Sequence, residues 1–283
     1  MINYSDWSAR NRRLDALIAS VPKIVDGAIR KHITEHRDGK GRNRSLAAIV
    51  TMFSGGNDSI VLAHLMRERT DYFGHANTGI GIEDTRIFVR KTCAEWGVPL
   101  IERHPAPGRT YREYVLKHGF PGPGRHGYVF ARIKGSPFEI INKELVSNPY
   151  RQRVLFVGGR RMLESARREA RKVPVWERRK SIAWVSPLRG WTALDLQTYR
   201  ARFPDVPRNP VADDLGMSGE CECGAFAAPG ELDKLRAYPP AADVVAQIEG
   251  LEREAEMAGI RSDRCRWGWG ADPFRVCRGG CNL

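Results

Sequence analysis

Apolar positions Leu14, Leu17, Ile18, Val21, Ile24, Val25, Ala28 and Ile29 recur at intervals of three and four. That period gathers them on one helical face, so one or two amphipathic helices are predicted, with Pro22 suited to start the second. The pattern then changes. Leu46 to Phe53 is a continuous, β-prone apolar run, and Ile60, Val61, Leu62, Leu65 and Met66 return to helical spacing. Thr70 to Ile80 reads as a second strand ending in a turn. Glu83 to Trp96 reads as a helix with Ile87, Phe88, Thr92 and Cys93 on its apolar side, and Val98 to Glu102 as a third strand. Helices over Arg109 to Lys117 and from Pro137 to Leu145 flank a loop at Phe120 to His126. Strands at Val154 to Gly158 and Ile182 to Leu188 follow, then a helix capped by Thr192. The arginines Arg167, Arg171 and Arg178, with Lys180, read as a solvated helix. Glu231 to Glu256 is helical with a break at Pro239-Pro240. Strands alternating with helices at this pitch predict an α/β fold with a doubly wound parallel sheet, whose ligands gather at the carboxyl ends of the strands.

Composition sharpens the organisation. With 283 residues, 42% hydrophobic and 28% charged, the chain is globular in character. The expected division is a helical lead-in (1–45), an α/β domain (46–217) and a Cys-rich cap (218–283). The lead-in ends in a basic link, Lys31, His32, His36, Arg37, Lys40, Arg42 and Arg44, read as a solvated loop. A net charge of +13 favours polyanionic partners: nucleotides first, and nucleic acid (DNA or tRNA) as a further expectation. No apolar run approaches a membrane span and no signal-peptide core is visible, so no membrane partner and a cytoplasmic location are expected. Homo-oligomerisation is left open.

The candidate chemistry begins at Ser54-Gly55-Gly56-Asn57-Asp58-Ser59, between the first apolar run and the next helical one. Strand, glycine turn and helix together build a phosphate cradle: glycines admit backbone N–H groups to the anion, and the helix start adds partial positive charge. The Gly-Lys-Ser/Thr ending of a Walker loop is missing. The string resembles SGGxDS, the PP-loop of the ATP-pyrophosphatase and phosphoadenosine-phosphosulfate (PAPS) reductase superfamily. Asn77-Thr78-Gly79, one strand later, is similar to that family's (D/N)TG turn beside the nucleotide. Gly159, Arg161, Glu164, Ser165 and Arg168 resemble its GxRxxES(xx)R signature, where guanidinium groups meet phosphate or sulfate. Lys134 falls where relatives place a basic residue against substrate phosphates. Trp191, Asp195 and Tyr199 resemble a further family segment and are expected to be structural. Arg208-Asn209-Pro210 turns the chain toward the cysteines.

The resemblance implies binding of an adenine nucleotide (ATP, or APS/PAPS) with Mg²⁺. Ser54, Asp58, Ser59 and Arg161 are the expected catalytic groups. Gly55, Gly56, Asn57, Asn77, Thr78, Gly79, Lys134, Gly159, Glu164 and Arg168 complete the expected nucleotide site. Five of the six cysteines, Cys221, Cys223, Cys265, Cys277 and Cys281, crowd the last 63 residues. In a cytosolic chain such a cluster points to metal or redox chemistry, and four thiolates suit [4Fe–4S] or structural zinc. The resemblance to iron–sulfur APS reductases and to sulfur-insertion enzymes of DNA phosphorothioation leans toward iron. Cys265 or Cys221 is then the expected spare, and Cys93 a core residue. Two reactions follow: adenylation of an acceptor with pyrophosphate release for sulfur transfer, or reduction of APS or PAPS. The second lacks the reductases' C-terminal Glu-Cys-Gly-(Leu/Ile)-His. A nucleotide-binding subunit without chemistry is the third alternative. A cysteine desulfurase or a reductant protein is the implied partner.

Overall fold

Six strands join in one sheet because the apolar runs pair side by side: β1 (Ser45–Met52), β2 (Tyr72–Ala76), β3 (Leu100–Arg103), β4 (Gln152–Val157), β5 (Trp176–Arg179) and β6 (Ile182–Val185). The structure, a computed structural model, describes residues 6–35, 43–162, 174–179 and 181–270. The strand order is β3-β2-β1-β4-β6-β5, and every pairing is parallel except β5 with β6. The helices are α1 (Trp7–Ile29), α2 (Asn57–Met66), α3 (Glu83–Glu95), α4 (Tyr111–His118), α5 (His126–Phe130), α6 (Ser136–Leu145), α7 (Ala193–Arg202), α8 (Pro210–Leu215), α9 (Glu231–Arg236) and α10 (Ala242–Met257). This is the doubly wound α/β architecture.

Both faces of the sheet are covered, which is why its central strands are buried almost throughout. Alternation along β1 sends Ala48, Val50 and Met52 to one side, where they meet Phe138 and Ile141 of α6. Phe53, Leu155 and Val157 face the other side, against Leu14, Val21 and Val25 of α1, Ile60 to Met66 of α2, and Trp191. A further core joins α4, α5, α9 and α10 with the segment around Cys223 and with Trp267. No helix among the described residues is long and apolar enough to cross a membrane.

Four expectations change. Pro22 does not start a second helix: α1 runs through it and continues as a π-helical turn over Arg30–Thr34. Proline inside a helix costs about 3 kcal/mol, but Leu14, Val21, Val25 and Ala28 are buried on that helix at about 1.5–3 kcal/mol for each large side chain. Arg178 lies in an antiparallel edge strand and not in a helix, since Trp176 to Arg179 pair back on β6 in register. Ile87 is 53% exposed, because the buried stripe of α3 is Thr85, Val89, Thr92 and Cys93. The second and last predicted strands are shorter than expected, ending at Ala76 and Val185. Of the basic link, His36, Arg37, Lys40 and Arg42 lie outside the described residues.

Thr192 caps α7 through a capping box with Asp195, whose carboxylate also takes the Arg13 guanidinium at 2.8 and 2.9 Å. This ties α1 to the sheet's far helices. Thr192→Ala should therefore lower unfolding stability by about 0.5–2 kcal/mol in a urea titration. An unchanged midpoint would show that Asp195 and Arg13 hold the helix start unaided.

Candidate functional site

At the carboxyl end of β1 the chain turns through Gly55, at φ +75°, and enters α2 from an extended Gly56. A Cβ on Gly55 would lie 2.7 Å from Thr85 Cγ2, so the turn needs glycine for both conformation and space. Among the described residues no side chain caps α2, which leaves its first N–H groups to meet an anion. The Ser59 hydroxyl donates to Gly56 O at 2.8 Å and lies 3.1 Å from Ser54 Oγ, closing the loop on itself.

Arg161 reaches the loop from the end of β4. Its Nε donates to Asp58 Oδ2 at 2.7 Å, and both side chains are at most 10% exposed. Gly159 makes this approach feasible: a Cβ there would stand 3.3 Å from the Asp58 carbonyl carbon. Arg200 donates to Asn57 Oδ1 at 2.6 Å and pairs with Asp213. Gly56, Asp58, Arg161, Arg200, Arg208 and Ser218 line a cleft of about 360 Å³. Three guanidinium groups, two of them paired with Asp213, and the start of α2 thus face one cleft, an arrangement suited to a polyphosphate.

Residues that local reading passed over hold this loop in place. Asn209, fully buried, donates from Nδ2 to Gly55 O at 2.9 Å and to Thr85 Oγ1 at 3.2 Å. Thr85 Oγ1 donates onward to Ser218 O at 2.7 Å. Glu220, 1% exposed, accepts from Thr78 N at 2.9 Å and lies 3.2 Å from His75 Nε2 and 3.4 Å from Arg86 Nε. His75 Nδ1 is 2.7 Å from Phe53 O, the residue before the loop. Burial would by itself push the His75 imidazole down and the Glu220 carboxyl up. Each outweighs that for the other, so His75 is raised and Glu220 lowered, with Arg86 contributing to the second. One signal was available: a histidine inside the apolar strand Tyr72–Ala76 needs a buried partner.

The other expected residues are placed as follows. Asn77 is buried, donates to Glu102 Oε1 at 2.7 Å and accepts from Gly79 N, so its side chain stabilises its own turn. Thr78 is buried under Glu220, whereas Gly79 is exposed. Lys134 is 3% exposed and lines a small cavity with Ser54 and Glu220, beside the end of the sheet. Glu164, Ser165 and Arg168 lie outside the described residues.

Among the expected metal ligands, Cys221 and Cys223 line one cavity together with Phe226 and Trp267. Cys265 is 1% exposed, and its Sγ sits 3.0 Å from Ile260 O and 3.3 Å from Arg261 O. Cys277 and Cys281 lie outside the described residues. No group of three metal-ligating side chains converges among the described residues. Cys93 is buried in the main core, where burial pushes its thiol up to about 12. Met217 and Ser218 border both the thiol cavity and the arginine-lined cleft, so the two share a wall.

The family model for the phosphoadenosine phosphosulfate reductase domain matches residues 48–214. No curated protein matches the sequence. Among solved structures, phosphoadenylyl-sulfate (PAPS) reductase from Candida auris is similar at 20% identity and a TM-score of 0.46, covering 72% of this chain and 90% of that one. The U34-tRNA thiolase NcsA from Methanococcus maripaludis, solved with its [4Fe-4S] cluster, is similar at 16% identity and a TM-score of 0.39, covering 84% and 80%. The NH3-dependent NAD synthetase from Campylobacter jejuni is similar at 11% identity and a TM-score of 0.45, covering 90% and 97%.

Proposed function

Because the chain belongs to the phosphoadenosine phosphosulfate reductase domain family, we propose that it binds an adenine nucleotide and adenylates an acceptor oxygen for sulfur transfer. The acceptor oxygen attacks the α-phosphorus of ATP. The bond to the β-phosphate breaks with its electron pair on the leaving oxygen, and pyrophosphate departs. A sulfur nucleophile from a sulfur-carrying partner then displaces AMP from the acceptor. The start of α2, Arg161 and Arg200 stabilise the charge that develops on pyrophosphate, a contribution that grows in a site shielded from water. Asp58 orients the Arg161 guanidinium toward the phosphates.

The observation that carries this reading is the wall at Met217 and Ser218, which sets two thiols beside the phosphate cleft. An enzyme that only split nucleotides would have no use for them there. Cys221 and Cys223, with Cys277 and Cys281, suit a four-thiolate centre. Cys265 suits it less, being spent on two backbone carbonyls. An iron–sulfur centre so held would supply a site to bind or relay sulfur, and zinc would supply structure alone.

ATP with Mg²⁺ and a thiolatable acceptor should yield stoichiometric pyrophosphate and AMP, measured by coupled phosphate assay and chromatography. Sulfite formed from APS or PAPS, with no pyrophosphate from ATP, would replace this reading with sulfonyl reduction.

A further inference from the structure

We propose that a second cleft, separate from the phosphate loop, binds an unstacked base and the adjoining phosphates of a single-stranded polynucleotide. Tyr114, His118, Phe120, Arg125, Arg264 and Trp269 line it, and none of them borders the nucleotide cleft. Its volume is about 130 Å³, several times the roughly 30 Å³ that one water occupies, so it admits a ring system.

Its walls are rigid. Trp269 Nε1 donates to Phe120 O at 2.6 Å, and Phe120 N donates to Arg264 O at 2.8 Å. Gly119 lets these segments meet, since a Cβ there would fall 2.6 Å from Arg264 Cβ. The Arg264 guanidinium lies 5.8 Å from the Trp269 ring centre, and its buried Nε has no hydrogen-bond partner among the described residues. Rings continue from the cleft onto the surface. Tyr128, 48% exposed, stands edge-on to His118 at 6.2 Å and carries Arg132 over its face at 5.6 Å.

Charge selects the partner. Nearby arginines are neutralised: Arg112 by Glu254, Arg261 by Asp263, Arg266 by Glu252 and Glu256. Arg125 and Arg264 form no ion pair among the described residues. His118 is lowered by burial first, and then by the positive charges of Lys117, Arg125 and Arg132. Free cations alone would suit any polyanion. The exposed rings of Trp269 and Tyr128 beside them suit a strand whose bases are unstacked, because every base offers a face to an aromatic platform. A duplex hides those faces.

The test uses the full chain without ATP, so its outcome is independent of the reaction proposed above. Labelled oligo-dT and oligo-U of about twelve nucleotides, within the roughly 4–16 that such platforms span, are titrated by fluorescence anisotropy. At least one strand should bind, and the corresponding duplex at least about tenfold more weakly; preference between the strands identifies DNA or RNA. Arg125→Glu, at an exposed position, should weaken binding about tenfold or more and reduce the slope of log affinity against log salt by about 0.7. Tyr128→Ala should weaken it about fivefold or more. Both variants should keep the wild-type heat of ATP binding. Failure of both strands to bind, equal affinity for duplex, or wild-type affinity in both variants would overturn the proposal. Displacement of the strand by polyglutamate at equal charge would also overturn it, in favour of an acidic protein partner.

Discussion

Asp58→Asn should reduce nucleotide turnover at least about a hundredfold, the scale on which a single transition-state electrostatic group acts, while the circular dichroism melt should stay close to wild type. The amide keeps the size of the carboxylate and an oxygen for Arg161 Nε, now 2.7 Å away. What it removes is the charge that orients the guanidinium. Asp58→Ala is a poorer probe: it strips a buried arginine of its carboxylate, a one-sided loss worth about 3–5 kcal/mol, so lost activity and lost fold would be confounded. Arg161→Ala tests the same pair from the other side and should weaken nucleotide affinity more than it lowers the melting point. Pyrophosphate release and calorimetric ATP titration provide both readouts. Wild-type turnover in Asp58→Asn would remove this residue from the chemistry.

Glu220→Ala should destabilise the protein by about 3–5 kcal/mol, since it leaves His75 buried without its carboxylate and Arg86 with Glu83 alone. Glu220→Gln keeps the shape and isolates the charge through pH. The Glu220 pKa is lowered from 4.5, so its contribution is present above that value and is lost as pH falls through the folded pKa. The His75 pKa is raised from 6.5, so its contribution is complete below 6.5 and is lost as pH rises through the folded pKa. Stability from the pair is therefore greatest between about 4.5 and 6.5. Denaturation across pH 4 to 9 should show that optimum in the wild type, and a flatter profile in Glu220→Gln. Parallel profiles would mean that the pair titrates alike in both states and anchors nothing.

The fold was legible where its signals are local. The apolar run ending at Phe53, the glycine turn and the spacing from Ile60 to Met66 fall within about one strand and one helix, and their alternation fixed the fold class. Sequence order could not give strand order, because β1 pairs with β4 across residues that say nothing of one another. The same limit applies to the candidate site. Its loop is contiguous, but Asn209 reaches Gly55 from 154 positions away and Glu220 reaches His75 from 145. Such partners are set by the packing of whole elements. Ile87 shows a different limit: the period of α3 was right, and its phase was misjudged by including one apolar residue outside the buried stripe. Pro22 shows a third, since a local breaker yields when enough buried side chains oppose it.

The position of β1 has a consequence during synthesis. Its inner neighbour begins about a hundred residues downstream, with Val50 opposite Phe156. At roughly 5–20 residues per second on the ribosome, the strand that carries the glycine loop waits about 5–20 s for its second partner. Until then one edge of this apolar strand is open, and the cradle above it has only half its foundation. Chaperone contact on the nascent chain would matter most in that interval.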